Sequence, residues 1–286
     1  MKQQATTCRD SQRKRSHIGT AIAILILLLL LPPAASAQGL AQDCATIKSV
    51  NPWAGDGDYI IAPAGNVFVV YCHNMATVPT EYLRLVNTGD GVNYSAFGGE
   101  SSAPPANVVT TMYTKIRFDP SSFLVDIADQ TFAVSSGIDC CIGPIPITSM
   151  PYATASDCLA PGSAQGKANV DLTGLPFIVD DTFTVAGFDP LGCANGSCGG
   201  EFASFPILAP VVDLTGGGFC GGIAPSAAGD DIFQPVQFDL QLRYVGGVVV
   251  DVNTCKKGGW RAFGVFKNQG DCVSFFASGG KKQPAR

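Results

Sequence analysis

The sequence has 286 residues, with 23 acidic and 18 basic side chains and a formal net charge of −5. This length is enough for one large or two smaller domains with a sizeable core, and the acidic balance argues against nucleic acid as a partner. Only two histidines are present and no H-E-x-x-H pattern occurs. A zinc protease centre of that type is excluded, because it needs two imidazoles on one helix face beside a catalytic Glu.

The N-terminal 37 residues have the pattern of a secretory signal peptide. A basic head precedes an apolar run at residues 21–31, and the segment ends in Ala-x-Ala at Ala37. The run has 11 residues, well short of the roughly 20 that a membrane-spanning helix needs; an uncleaved signal anchor is the alternative. We therefore expect a secreted, extracellular chain with no membrane span after cleavage. Its sequons at Asn93 and Asn195 would matter only in a host that glycosylates exported proteins.

The cysteines predict a disulfide framework. Removal of the signal also removes Cys8 and leaves ten cysteines, an even number in a chain bound for an oxidising compartment. Scattered buried thiols are the alternative, and a zinc site is disfavoured because no C-x-x-C pair exists. We predict that Cys255 pairs with Cys272, because they bracket a segment too short to hold a core alone, and that Cys193 and Cys198 close a small loop. The ten candidates are Cys44, Cys72, Cys140, Cys141, Cys158, Cys193, Cys198, Cys220, Cys255 and Cys272.

Short β-strands are predicted along most of the chain. Runs at 59–62 and 67–72 flank a loop that contains Gly and Asn, which predicts a hairpin, and residues 81–86 supply a third strand. The run at 67–72 is apolar enough to predict a strand covered on both faces. The Gly-, Ser- and Pro-rich residues 87–106 predict a surface loop. Further β character occurs at 112–118, 123–127, 131–134, 169–179, 182–188, 238–244 and 248–250.

No stretch after the signal shows sustained helical periodicity with caps. The predicted fold class is therefore mostly β, with short antiparallel strands, long loops, disulfide staples and a small C-terminal disulfide-framed tail.

The C-terminal residues 255–286 differ in charge from the rest of the chain. They contain seven basic residues and one acidic residue, whereas residues 38–254 contain six basic and 21 acidic residues. This asymmetry suggests an anionic partner or a tail that folds back on the acidic body, and lysines that only keep the tail soluble are the alternative. Aromatic residues interleaved with cations could bind a sugar face or an anionic polymer, but we favour aromatics that form the tail's own core or dock onto the body. The candidate contact residues are Lys256, Lys257, Trp260, Arg261 and Lys267.

His73 is the histidine that remains after the signal, and it is the residue on which any catalytic hypothesis depends. A Ser-His-Asp triad is formally possible, but no G-x-S-x-G elbow occurs, so a structural or hydrogen-bonding role is favoured. No catalytic residue, metal ligand or cofactor is predicted. Calcium stays an alternative at three acidic pairs, which lack the D-x-D-x-D-G loop and are more typical of turns. These pairs are Asp56 with Asp58, Asp180 with Asp181, and Asp230 with Asp231.

A series of short segments between residues 44 and 225 carries a family resemblance. They are CATIK at 44–48, GDY at 57–59, VYCHNM at 70–75, PTEY at 79–82, KIRF at 115–118, DQTFA at 129–133, PYATASDC at 151–158, VDLTG at 170–174 and GFCGG at 218–222. In order and spacing they resemble the GON domain, known mainly as the C-terminal module of a subgroup of secreted animal metalloproteases of the ADAMTS type. The family's closing cluster usually holds more cysteines than Cys220 alone, so its disulfide pairing does not transfer.

The resemblance implies a stand-alone exported GON-like β domain at residues 38–225. A β extension or linker follows at 226–254, and then the tail at 255–286, which resembles the Cys-framed tails of exported bacterial proteins. The favoured function is a secreted, non-catalytic module that binds an extracellular or cell-surface polymer or protein, with an anionic partner suggested by the tail. The alternative is a component of extracellular proteolysis with the zinc metalloendopeptidase activity that the family name implies. The missing histidine pair favours the first.

Overall fold

A computed structural model describes residues 40–98, 108–142, 145–157, 166–187, 204–216, 221–225, 239–246, 253, 255–263 and 265–278. They belong to one compact unit, Gly39–Arg286. The predicted signal peptide, the predicted strand at 248–250 and the predicted Cys193 to Cys198 pair lie outside the described residues. The domain boundaries at 225 and 254 stay predictions.

The fold is mostly β, which confirms the predicted class. In the described residues two α-helices and two 3₁₀ helices accompany the strands: α1 is Cys44–Val50, α2 is Gln269–Ala277, and the 3₁₀ helices are Pro63–Gly65 and Lys256–Phe263. The strands are β1 (Gly57–Ile61), β2 (Phe68–His73), β3 (Thr80–Arg84), β4 (Tyr94–Gly98), β5 (Val108–Tyr113), β6 (Lys115–Asp119), β7 (Leu124–Asp126), β8 (Ala133–Ser136), β9 (Asp139–Ile142), β10 (Ile145–Ile147), β11 (Ala155–Asp157), β12 (Gly166–Asp171), β13 (Phe177–Gly187), β14 (Ser204–Ala209), β15 (Val211–Gly216), β16 (Gly221–Pro225) and β17 (Leu240–Tyr244).

Most of these strands form a single long sheet. Its order is β1-β2-β3-β6-β7-β17-β13-β16-β11-β4-β12-β15, with β14 paired to β13, β5 paired to β4, and β8 paired to β5. The described pairings are antiparallel except for β11 with β4. The first part of the sheet follows chain order closely, because short connections, at residues 62–67 and 74–79, join β1, β2 and β3. The strand β13 pairs with β17 at residues 177–179 and with β16 at residues 183–187, and so joins the two parts of the sheet.

The main core contains a group of aromatic rings contributed by distant strands. Phe68 of β2 packs with Phe118, Phe123, Phe177 and Tyr244, and neighbouring ring centroids lie 5.0 to 6.3 Å apart. Most of these contacts are edge-to-face or tilted, which is the favourable geometry for aromatic pairs. The rings therefore hold β2 against the middle of the sheet.

Two short α-helices occur in a chain whose sequence shows no sustained helical periodicity after the signal. In α1, the Asp43 side chain accepts a hydrogen bond from Thr46 N at 2.6 Å, and Glu81 Oε1 accepts one from Cys44 N at 2.7 Å. The disulfide Cys44–Cys72, with Cα atoms 5.6 Å apart, joins this helix to β2. At seven and nine residues, the two helices are too short to show a sustained 3.6-residue period, and isolated helices of this length are not stable. Tertiary contacts and disulfides hold them.

The predicted surface loop at 87–106 is also corrected, because it contains β4. This strand pairs with β5, β11 and β12, and its residues Ser95 to Gly98 are buried. Small residues suit a strand that is crowded on both sides, but their composition is the same as that of a loop. Local sequence therefore could not identify this strand.

The sequon at Asn93 is buried just before β4. Asn93 is 0% exposed, and its Nδ2 donates to the carbonyls of Asn87 at 2.8 Å and Asp171 at 2.9 Å. Its Oδ1 accepts from the Tyr152 hydroxyl at 2.6 Å and from Asp171 N at 2.9 Å. The amide nitrogen that a glycan would need is therefore engaged in the folded chain. The second sequon, at Asn195, lies outside the described residues.

None of the helices in the described part of the chain combines the length and the apolar character needed to cross a bilayer.

Candidate binding surface

The C-terminal tail folds around its own disulfide. Cys255 and Cys272 are bonded, with Cα atoms 5.7 Å apart, and this is the pairing that the sequence predicted. The bond joins the 3₁₀ helix Lys256–Phe263 to α2. Phenylalanine rings from both elements and from the connection between them pack with neighbouring centroids 5.0 to 6.0 Å apart. These rings belong to Phe263, Phe266, Phe275 and Phe276.

The tail also docks onto the hairpin formed by β1 and β2. Ile60, which is 1% exposed, lies in the same apolar cluster as Cys255 and Phe275, and Val67 and Val69 pack against that cluster. Side chains alternate along β2, so Phe68, Val70 and Cys72 face the main core while Val67 and Val69 point to the other face. The main core covers one face of β2, and the tail covers one end of the other face. This arrangement explains the apolar run that predicted a strand covered on both faces. The favoured sequence interpretation of the tail aromatics, a small core that docks on the body, is what the structure contains.

Packing of the aromatics leaves tail cations on the surface. Lys256, Arg261 and Lys267 are exposed, whereas Trp260 is half-buried at the edge of the apolar cluster. The Lys256 ammonium donates to Asn253 Oδ1 at 2.7 Å, and the Arg261 guanidinium lies 4.8 Å from the centre of the Trp260 ring. The side chain of Lys257 lies outside the described part of the structure.

Beyond the tail, the outer face of the sheet carries aromatic and cationic side chains. Tyr71 of β2 lies on the same face of the sheet as Val69, two residues before it. In the ladder, Tyr71 lies opposite Tyr82 of β3. Arg84 of β3 lies opposite Lys115 of β6. Phe132 lies in the turn before β8. Its ring makes edge-to-face contacts with Tyr71, His73 and Tyr82, with centroid distances of 5.6, 5.1 and 4.8 Å. We call the group formed by Tyr71, Arg84, Lys115 and Phe132 the cation–aromatic cluster.

Lys115 is the centre of this cluster. Its Nζ lies 3.6 Å from the centre of the Phe132 ring and 4.6 Å from that of Tyr71. Partial burial, followed by the positive charge of Arg84, lowers the pKa of Lys115 from its ordinary value. Arg84 also stacks on Tyr71, with Cζ 5.1 Å from the ring centre, but its guanidinium is paired with Asp58 at 3.0 Å. Lys115 itself lies against the two rings and is attracted by the same Asp58 carboxylate.

His73 lies at the end of β2 and binds a carboxylate. Its Nδ1 is 2.9 Å from Asp56 Oδ2. Asp56 also accepts hydrogen bonds from the backbone N–H groups of Met75 at 2.8 Å and Asn74 at 3.2 Å. The Met75 bond is the main cause that lowers the pKa of Asp56. The pair therefore fixes the turn after β2, in keeping with the hydrogen-bonding role favoured for His73.

The acidic pairs proposed for calcium already bind donors of the chain itself. Asp58 pairs with Arg84, Asp180 accepts from Arg243 Nε at 2.7 Å, and Asp181 accepts from Gln241 N at 2.6 Å. In the part of the chain that the structure describes, no group of three or more His, Cys, Asp or Glu side chains is placed to hold a metal ion. Asp230 and Asp231 lie outside that part.

Asp239 is a buried carboxylate that the sequence analysis did not identify. It is 2% exposed, and its Oδ2 has no hydrogen-bond partner among the residues that the structure describes. Burial raises the pKa of Asp239 to about 6, with further contributions from the carboxylates of Asp126 and Asp181. Nothing in the local sequence distinguishes it from a surface aspartate, because its environment depends on how β17 lies between β7 and β13.

Comparison with known proteins agrees with the family resemblance. Residues 41–108 match the model of the GON domain. The chain is 28% identical over 220 residues, 68% of its length, to A disintegrin and metalloproteinase with thrombospondin motifs gon-1 of Caenorhabditis elegans. It is 27% identical over 179 residues, 53% of its length, to A disintegrin and metalloproteinase with thrombospondin motifs 20 of Homo sapiens. In each case the match covers 9% of the relative, so this chain spans less than a tenth of those proteins. No solved structure matches.

These matches support the predicted resemblance to the GON domain, and the family model covers residues 41–108 of the predicted 38–225. The matched residues 41–108 include α1, the hairpin of β1 and β2, and β3. They also include Tyr71 and Arg84 of the cation–aromatic cluster, whereas Lys115 and Phe132 follow the matched segment. The bacterial character suggested for the tail stays a prediction.

Proposed function

We propose that this chain, which carries a GON domain at residues 41–108, is an extracellular, non-catalytic module that binds an anionic polymer through its C-terminal tail. The observation that carries the proposal is that the aromatic and the basic side chains of the tail face in different directions. Its aromatic rings pack inward and onto the hairpin of β1 and β2, while Lys256 and Arg261 are exposed.

The contacts of the tail cations support an external partner. If the basic tail were attached to the acidic body by charge, its cations would be paired with body carboxylates. Instead, the contact with the body is apolar, through Ile60, Val67 and Val69. Within the residues that the structure describes, Lys256 contacts Asn253, which lies just before the tail, and Arg261 contacts Trp260 of the tail. Because neither contact neutralises the cation, both charges stay available to attract an anionic surface.

The extracellular and non-catalytic parts of the proposal rest on cysteine and histidine usage. The disulfides Cys44–Cys72 and Cys255–Cys272 are bonds that persist in oxidising compartments. The sequence lacks H-E-x-x-H, and His73 is bound to Asp56. The names of the relatives include metalloproteinase, but their match to this chain covers 9% of each relative. A role in extracellular proteolysis would therefore have to come from a partner enzyme, and the zinc endopeptidase alternative has no residues here to support it.

The test uses the disulfide-intact chain from residue 38 and a sulfated polysaccharide at low salt. The double variant Lys256→Gln, Arg261→Gln should bind about tenfold more weakly, a loss of about 1.4 kcal/mol. The matched control is Lys167→Gln, Arg243→Gln, which removes two exposed charges from the body. The control also removes the ion pair of Arg243 with Asp180 at the surface, and pairs of this kind contribute little to the free energy of unfolding.

Control binding should equal that of the unmodified chain. Equal losses in both double variants, or no loss in either, would contradict the proposal. A second assay, digestion of casein by the purified chain, should give no chelator-sensitive cleavage.

A further inference from the structure

We propose that the cation–aromatic cluster is a second anion site, in which Lys115 and Arg84 bind a sulfate or carboxylate group of an acidic polysaccharide. The inference rests on the proposed function for the class of polymer, but the anion site itself stands on the geometry of β2, β3 and β6. The site shares the outer face of the sheet with the docked tail and is separate from the tail cations.

Arg84 and Lys115 lie directly opposite each other in the ladder of β3 and β6. Like charges in opposite positions destabilise a sheet. Asp58 pairs with Arg84 and also attracts the charge of Lys115, so one carboxylate serves two cations, while the Lys115 ammonium lies against two rings. An oxyanion that bridges both cations would offset the repulsion that remains.

The charges around the cluster are unevenly paired. Asp56 binds His73, and both Asp126 and Asp129 pair with the single cation Arg117, so the wider face carries no excess of positive charge. Within the cluster, in contrast, the two cations Arg84 and Lys115 share the one carboxylate of Asp58. The cluster therefore carries one positive charge more than its carboxylate balances, which attracts an anion.

The Lys115 ammonium is held in place before any ligand arrives. A lysine on a free surface samples many rotamers, and binding then costs conformational entropy. Here the Lys115 side chain lies across Phe132 and Tyr71, and Phe132 is itself fixed by edge-to-face contacts with His73 and Tyr82. Partial burial also strengthens the attraction between the ammonium and an anion by lowering the local dielectric constant.

The position of the strands favours a polysaccharide over an extended peptide. Strands β2, β3 and β6 are interior in the sheet, each paired on both sides, so a peptide has no free edge to which it could add as a strand. A ligand must lie on the face of the sheet. A face with rings beside cations suits a sugar ring that bears an acidic group, because the ring contacts the aromatics while the acid contacts the cations.

The site adjoins the tail on the same face. Val69, which packs against the tail cluster, and Tyr71, which belongs to the cation–aromatic cluster, are two residues apart on β2, a distance of about 7 Å. A polymer that contacts both the tail cations and Lys115 would gain affinity, because its second contact is intramolecular. A single small anion would lack this gain.

The test compares Lys115→Gln with Lys115→Arg and with the body control Lys167→Gln. The probes are inorganic sulfate, a sulfated polysaccharide, a polyuronate and polyglutamate, at low salt. Sulfate should shift the ring NMR signals of Tyr71 and Phe132 in the unmodified chain and not in Lys115→Gln. Polysaccharide affinity should fall about fivefold in Lys115→Gln and be restored in Lys115→Arg, which keeps the charge and the ring contacts. The sulfated and uronate polymers show which acid group the site prefers.

Each result separates this inference from the tail proposal. If the tail double variant weakens binding and Lys115→Gln does not, the second site is wrong and the proposed function stands. If Lys115→Gln alone weakens binding, the second site stands and the role of the tail is wrong. If polyglutamate binds as tightly as the polysaccharides, with the same dependence on Lys115, the polysaccharide assignment is overturned. The thermal unfolding midpoints of Lys115→Gln and Lys115→Arg are compared with that of the unmodified chain. Lys115→Arg should unfold at nearly the same temperature as the unmodified chain, and a similar midpoint for Lys115→Gln shows that its weaker binding reflects loss of the site rather than loss of folding.

Discussion

Ile60 of β1 lies opposite Val69 of β2, and both side chains pack against the disulfide-bonded C-terminal tail. The hairpin of β1 and β2 is therefore enclosed between the main core and the tail. Because Ile60 is 1% exposed, the tail is part of the folded body rather than an appended peptide.

Deletion of residues 255–286 should destabilise the body. It would expose Ile60, Val67 and Val69, and each buried aliphatic side chain contributes roughly 1.5 to 3 kcal/mol. We expect the free energy of unfolding, measured in urea, to fall by about 2 to 4 kcal/mol, with increased binding of a hydrophobic dye. A truncated chain as stable as the full one would show that the tail packing contributes nothing.

Loss of the Cys44–Cys72 disulfide should cost about 3 to 4 kcal/mol. The bond closes a loop with a sequence separation of 28 and attaches α1 to β2. The double replacement by Ser should be compared with the same replacement of Cys255 and Cys272, whose separation is 17. Both pairs should lower the midpoint of chemical unfolding. In the second pair, the loss should be accompanied by solvent exposure of Trp260, detected by its fluorescence.

Asn93→Ala should be among the most destabilising single substitutions in this chain. It would leave the Tyr152 hydroxyl and the backbone groups of Asp171 and Asn87 without their partner, and each buried unsatisfied group costs roughly 1 to 3 kcal/mol. We expect a total loss of about 3 kcal/mol or more. Tyr152→Phe, which removes one of these bonds, should cost about 1 kcal/mol. In a glycosylating host, the mass at the Asn93 sequon should show no glycan.

The buried Asp239 predicts a pH dependence of known sign. Its folded pKa is raised to about 6, whereas an unfolded Asp titrates near 3.9. Between these values the unfolded state has lost the proton and the folded state retains it. The contribution of Asp239 to the free energy of unfolding therefore falls as pH rises from about 4 to about 6 and is constant above that. At pH 7, Asp239→Asn should raise the free energy of unfolding by roughly 1 to 2 kcal/mol. The measurement is the difference between the unmodified chain and the variant at pH 4 and pH 7, and an equal difference at both would contradict the account.

The elements predicted well from the sequence are those fixed by local pattern. The hairpin predicted at 59–62 and 67–72 corresponds to Gly57–Ile61 and Phe68–His73, because apolar runs on either side of a turn specify it locally. In contrast, β4 pairs not only with the nearby β5 but also with strands more than fifty positions away, as where Asn169 lies opposite Tyr94. The short α1 depends on Cys72 and Glu81. Contacts between residues that are far apart in the sequence cannot be recognised from a short stretch of it.

Of the candidate binding surface, the sequence indicated the tail cations but not the cation–aromatic cluster. The exposed cations of the tail follow from composition, and Lys256 and Arg261 are where the charge pattern indicated. The cation–aromatic cluster was missed because it depends on the register of β3 against β6, which places Arg84 opposite Lys115. Its trace in the sequence is the i, i+2 spacing of Tyr82 with Arg84 and of Lys115 with Arg117, which indicates side chains on one face of a strand.

The most direct test of the central claim is titration of the disulfide-intact chain with a sulfated polysaccharide at about 20 mM and about 300 mM salt. The unmodified chain is compared with the triple variant Lys115→Gln, Lys256→Gln, Arg261→Gln. We predict that the unmodified chain binds at low salt, weakens steeply at high salt, and loses most of both its affinity and its salt dependence in the triple variant. Equal affinity of the two proteins at low salt would contradict the account.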